Sequence, residues 1–69
     1  MQIACLTTGA ASQVLNTLMD RQLRPGRDFH LNGPELPDPP IQFVLHVDLP
    51  VAVVRHLRGI PDASITEAT

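Results

Sequence analysis

The first third of the chain changes from one hydrophobic period to another. The apolar run Gln2–Thr7 predicts a short strand that is buried on both faces. From residue 9 to residue 23 the apolar positions recur at helical spacing, which predicts an amphipathic helix that ends at Arg24-Pro25-Gly26. The predicted buried face of this helix consists of Val14, Leu15, Leu18, Met19 and Leu23.

The remainder of the chain predicts two strands, a second helix and a last strand. Residues 28–31 predict a short strand, and the proline-rich residues 32–40 predict an extended loop without regular pairing. Strict alternation over residues 41–48 predicts a strand with one strongly apolar face. Asp48 is the predicted N-cap of a helix that Gly59 and Pro61 end, with Pro50 in its first turn. Its predicted buried stripe is Val51, Val54 and Leu57, and residues 63–66 predict a weak last strand.

The predicted order βαββαβ allows few folds. Two right-handed βαβ units that share one sheet give a ferredoxin-like α+β sandwich, with a four-stranded antiparallel sheet and both helices on one face. We expect residues 1–69 to form one such domain. The face without helices would carry Val44, Gln42 and His46, together with either Ala4 and Leu6 or Ile3 and Cys5. Such a half-apolar face predicts association as a homodimer or with a larger protein.

Composition excludes several classes of function. The net charge is −2 and all five basic residues are arginines, so no basic excess indicates nucleic-acid binding. Cys5 is the only cysteine, which excludes an internal disulfide and a cysteine-based zinc site and favours an intracellular protein. No apolar run approaches the roughly 20 residues that cross a bilayer, and the first residues do not resemble a signal peptide. We therefore expect a cytoplasmic protein without membrane insertion.

The turn between the first strand and the first helix is the strongest candidate site. The first amides of a helix lack internal partners and lie at the positive end of its dipole, so they suit a carboxylate. The side chains around this turn are small enough for a ligand to reach the backbone. The candidate residues are Thr7, Thr8, Gly9, Ala10, Ala11 and Ser12. The alternative is that Thr8 caps the helix and Gly9 forms the turn, without any ligand. The sequence contains neither of the glycine-rich motifs that bind nucleotide phosphates, Gly-x-x-x-x-Gly-Lys and Gly-x-Gly-x-x-Gly.

Three segments resemble the ACT domain, a small βαββαβ module that binds amino acids and related metabolites and regulates enzymes. GAASQVL at residues 9–15 is similar to its turn and first helix, RPGRDF at 24–29 to the entry of its second strand, and LRGIPDASI at 57–65 to its ending. Asp28 stands where the family usually has Asn, and Asp62 where it usually has Gly. In size the chain is similar to free-standing regulatory subunits, such as the small subunit of acetohydroxyacid synthase.

The resemblance implies a regulatory module that binds an amino acid at a dimer interface and acts on an enzyme or transporter. The amino group of such a ligand needs an acceptor, and Asp28 of the same or a neighbouring subunit is the best candidate. The second function class is a ligand-free module of the same fold that dimerises or docks through its open sheet face or an edge strand.

The remaining polar residues predict no enzyme, no cofactor and no metal site. His30 and His46 fall on strands that we expect to be neighbours, and His56 falls on the second helix, across the sheet from them. His46 and Asp48 could form a ligand pair, but a metal site needs converging ligands, and a solvated polar face is the preferred interpretation. Cys5 lies in an apolar strand and is expected to be inert, and no acid, base and nucleophile fall together.

Overall fold

A computed structural model of the chain describes residues 1–32 and 40–67. The predicted loop at 32–40 lies almost wholly outside these residues. The order of elements is the predicted one. The elements are β1 (Gln2–Cys5), α1 (Thr8–Asp20), β2 (Phe29–Asn32), β3 (Ile41–Leu45), α2 (Val51–Arg58) and β4 (Ala63–Thr66).

The four strands form one antiparallel sheet in the order β2-β3-β1-β4. β3 lies between β1 and β2, which therefore run parallel to each other and are joined by α1. β3 and β4 are related in the same way across β1, with α2 as the connection. The predicted antiparallel sheet of four strands with two helices is confirmed.

Burial is confined to one face of the sheet. Alternate residues of each strand point towards the helices, and both helices pack their buried side chains into the same core. Its buried members are Ile3, Cys5, Ala10, Ala11, Val14, Leu18, Phe29, Phe43, Leu45, Val53, Leu57 and Ile60. The rings of Phe29 and Phe43 pack with their centres 6.1 Å apart. The core therefore joins every element to one side of the sheet.

The opposite side of the sheet is called the open face below. Its residues are Gln2, Ala4, His30, Asn32, Gln42, Val44, Ser64 and Thr66, which are half-buried or exposed. The prediction that β1 is buried on both faces is wrong, because only Ile3 and Cys5 point into the core. The strand also ends at Cys5 rather than Thr7, and Leu6 is 64% exposed.

Helix α1 ends three residues before the predicted position. The Leu23 amide donates to the Leu18 carbonyl at 3.1 Å, and the Gln22 amide donates to the Met19 carbonyl at 2.9 Å. With Gln22 at φ 63°, this is a Schellman motif. The sequence does not signal it, because the left-handed position holds glutamine instead of glycine. Gly26, at φ 81°, belongs to the following loop.

Two predicted core positions are at the surface. Met19 is 49% exposed and Val51 is 67% exposed, although both fit helical spacing. In α2 the buried stripe is instead Val53, Val54 and Leu57, because the helix is rotated so that Val53 enters the core. Helical spacing alone does not distinguish the two rotations in a helix of eight residues.

The boundary between β3 and α2 also differs from the prediction. β3 ends at Leu45, so Asp48 is not part of the strand. Pro50, with φ −57° and ψ 148°, is the N-cap of α2, and Asp48 is not. The Pro50 carbonyl accepts hydrogen bonds from the amides of Val53 and Val54 at 3.0 and 3.1 Å. Gly59 ends α2 as predicted.

We expect Leu18→Ala to lower the free energy of unfolding by about 2 to 5 kcal/mol, because Leu18 is fully buried and its truncation leaves a cavity. The adjacent Met19→Ala is the matched control, since it changes the same helix at an exposed position and should cost no more than about 0.5 kcal/mol. Urea denaturation followed by circular dichroism measures both. Equal losses in the two variants would contradict the one-sided core.

Candidate functional site

The candidate site lies at the start of α1, where Thr7 is the N-cap of the helix. Its backbone is extended, with φ −135° and ψ 158°, and its Oγ1 accepts a hydrogen bond from the Ala10 amide at 3.1 Å. The Ala11 amide donates to the Thr7 carbonyl at 3.1 Å. The predicted cap, Thr8, is the first residue of the helix instead. Both threonines fit the capping rule, so the sequence alone does not choose between them.

The candidate residues remain together at this helix end. Ala10 and Ala11 are buried, whereas Thr7, Thr8, Gly9 and Ser12 are exposed. The amides of Thr8 and Gly9 make no hydrogen bond to any of the described residues. Gly9 is helical and does not form the predicted turn, and an added Cβ would meet only Thr7 Oγ1, at 3.9 Å. Two exposed backbone donors are therefore available to an anion.

Asp28 is engaged within its own loop. Its Oδ2 accepts a hydrogen bond from the Arg24 amide at 2.8 Å, and its Oδ1 accepts one from Arg27 Nε at 3.3 Å. The Arg24 amide is the main reason that the pKa of Asp28 is lowered; Arg27 adds to the effect, and desolvation opposes it. The carboxylate thus closes the turn that leads into β2.

Asp28 and the start of α1 lie at opposite ends of the sheet. The His46 amide donates to the Asp28 carbonyl, and the Leu45 amide to the Met1 carbonyl, so Asp28 lies at the same end of the sheet as the beginning of β1. Thr7 follows the end of β1, a strand of about 13 Å at four residues. Within one chain the structure does not bring the two parts of the predicted site together.

The histidines His30 and His46 meet at one corner of the sheet. They lie on neighbouring strands or their extensions, as predicted, with His30 Nδ1 and His46 Nε2 2.7 Å apart. The ring centres are 4.7 Å apart and the ring planes are inclined by 24°. His56 lies on α2. In residues 1–32 and 40–67 no group of three or more His, Cys, Asp or Glu side chains is arranged to hold a metal ion.

The other features of the described residues add no catalytic group. Cys5 is fully buried, and burial raises the pKa of its thiol, which disfavours the reactive thiolate. One surface cleft between the two helices is lined by Thr17, Asp20, Arg21, Ala52, Val53 and His56. It includes none of the predicted site residues. No helix among the described residues is long and apolar enough to span a membrane.

The comparisons with known proteins find no relative. No family model matches the chain, and no curated protein or solved structure is significantly similar to it. The resemblance to ACT domains therefore stays a prediction from the residues that carry it.

We expect Thr7→Ala to lower the free energy of unfolding by about 1 kcal/mol, because the Ala10 amide loses its acceptor. Thr8→Ala is the matched control. It removes the same hydroxyl one residue later, where no cap hydrogen bond is made, and should change stability by less than about 0.5 kcal/mol. Thermal and urea denaturation measure both variants. A larger loss for Thr8→Ala would assign the cap to Thr8.

Asp28 also predicts a dependence of stability on pH. Its pKa is lower in the folded protein than in the unfolded chain, so its stabilising effect is complete above the unfolded value of about 3.9. The effect is lost as the pH falls through the folded pKa. We expect the wild-type protein to lose more stability than Asp28→Asn as the pH falls from about 5 to about 2.

Urea denaturation across this pH range tests the assignment, with Arg27→Gln as the second variant. Arg27→Gln should retain most of the pH dependence, because the Arg24 amide has the larger effect on the carboxylate. Parallel stability profiles for the wild type and Asp28→Asn would contradict a lowered pKa.

Proposed function

We propose that this protein is a ferredoxin-like interaction module that pairs with a second copy of itself through the open face. The ferredoxin-like assignment is supported by the order β2-β3-β1-β4 and by the helix that connects each pair of parallel strands. The pairing is supported by one observation in particular, the distribution of charge.

The sheet carries no charged side chain. None of the four strands contains Asp, Glu, Lys or Arg, although these residues make up 17% of the chain. Proteins commonly place charged side chains, especially lysine, on edge strands to prevent pairing with the strand of another chain. In this sheet both edge strands, β2 and β4, lack that protection. The absence of charge favours contact with another protein surface.

A second copy is the partner that this chemistry fits best. In a two-fold symmetric contact each residue faces the same patch of its partner, so a charged patch would meet its own charge. An uncharged face avoids that repulsion. Ala4 and Val44, at its centre, are small or apolar and half-buried, and polar amides and hydroxyls surround them. Such a surface combines a modestly apolar centre with a polar rim.

The size of the open face limits the strength of the contact. Four strands of four or five residues give a surface of about 14 by 13 Å before side chains are counted. This area is smaller than the roughly 800 Å² that each partner buries in a standard protein interface. We therefore expect reversible association in the micromolar to millimolar range.

Binding of an amino acid at the start of α1 is the second candidate function. It is supported by the amides of Thr8 and Gly9, which make no hydrogen bond to the described residues. It is also supported by the glycine at position 9: the helical backbone there does not require glycine, but the missing side chain leaves the amides open to a ligand. Because Asp28 lies at the other end of the sheet, this function needs Asp28 from a second subunit. An amino acid would then strengthen association.

We expect Ala4→Arg to weaken self-association at least tenfold, because it places a long charged side chain at the centre of the open face of both copies. Sedimentation equilibrium from about 10 µM to about 1 mM covers the expected affinity range. Ala52→Arg is the matched control, since Ala52 is exposed on α2, away from this face. It should leave the dissociation constant unchanged.

The outcomes separate the two functions. Association that survives Ala4→Arg, or a wild-type protein that stays monomeric throughout, would contradict pairing through the open face. Repeating the wild-type series with the standard amino acids tests the second candidate. A dimer strengthened by one amino acid supports ligand sensing, whereas a constant dissociation constant supports pairing without a ligand.

A further inference from the structure

The histidine pair at the corner of the open face is the best-organised polar feature outside the start of α1. His30 faces the open side of edge strand β2, paired in register with Val44. His46 follows the last residue of β3, and its amide donates to the Asp28 carbonyl at 2.8 Å, which extends the pairing by one position. Backbone hydrogen bonds on neighbouring strands therefore hold both residues, while both side chains are exposed.

We propose that His30 and His46 form a chelating site for a divalent transition-metal ion, such as Zn²⁺ or Ni²⁺. Neutral imidazole is a ligand that these ions prefer. The two nitrogens that would bind, His30 Nδ1 and His46 Nε2, already point at each other. One chain thus supplies two ligands at a single point, which no other pair of histidines in the described residues does.

The distances require only a small adjustment. Imidazole nitrogens bind Zn²⁺ at about 2.0 to 2.1 Å, so two ligands of a tetrahedral ion lie about 3.3 Å apart. The observed separation is 2.7 Å, and the exposed rings can open by the difference through side-chain rotation. Without metal, one of these nitrogens carries the shared proton. When both rings bind metal, that proton occupies the outer nitrogen of its ring, so neutral imidazoles release no proton.

The surroundings define a partial site. Asp28 and Asp48 each lie two residues from one histidine of the pair. Asp28 is held by Arg24 and Arg27, and neither carboxylate forms a group of three metal ligands with the pair in residues 1–32 and 40–67. Water therefore completes the coordination, and the ion remains exchangeable. Mg²⁺ and Ca²⁺, which require several oxygen ligands, do not bind such a pair.

Calorimetric titration of the tag-free protein with ZnCl₂ and NiCl₂ near neutral pH tests the proposal. The expected result is one ion per chain, with the affinity reduced at least tenfold in both His30→Gln and His46→Gln, because each removes one of two ligands. His56→Gln is the matched control and should bind like the wild type. MgCl₂ should produce no binding heat.

Paramagnetic Ni²⁺ locates the ion independently of affinity. In NMR spectra of the wild type, it should broaden the signals of residues near the pair, such as Val44 and Gln42, before those of α2. Circular dichroism verifies that the variants are folded. Binding that is equal in His30→Gln and the wild type, or broadening centred on His56, would overturn the proposal. So would the absence of saturable binding, which leaves the pair as a hydrogen bond on a polar face.

Discussion

Packing of one sheet face against two helices is the interaction on which this structure depends. Ile3 and Cys5 of β1 and Phe43 and Leu45 of β3 point to the same side, where both helices cover them. A domain of this length buries only about 60% of the surface that its unfolded chain exposes, less than a larger domain does, so a second core on the other face is beyond its reach. The one-sided core therefore fixes which residues are left on the open face.

The open face and the charge distribution follow from that arrangement. All charged residues described in the structure lie outside the strands, in helices, loops and termini, so the edge strands carry no protective charge. A domain with a small core gains stability from any partner that binds only its folded form. The proposed pairing would therefore link association to folding, and the concentration of the chain would enter its stability.

The sequence predicts the elements better than it predicts their ends and contacts. The order of strands and helices follows from periodicity, because strands of period two and helices of period 3.6 leave different patterns. The end of α1 does not, because Gln22 adopts the left-handed conformation without a glycine. The cap at Thr7 and the rotation of α2, which exposes Val51, are decided by tertiary packing between equivalent local choices.

The contacts of Asp28 are also decided by the folded structure rather than by the local sequence. They connect a residue of the predicted ligand site with the histidine pair. From its sequence position we predict that the Asp28 carboxylate binds a ligand. In the structure the carboxylate instead closes the loop between Arg24 and Phe29. Hydrogen bonds to Asp28 Oδ2 and from the Gly26 amide to the Phe29 carbonyl form that loop. The Asp28 carbonyl in turn holds the His46 amide beyond the end of β3. The residue predicted to bind a ligand thus fixes the backbone that places His46 against His30, so the order of the histidine pair depends on an intact Asp28 loop.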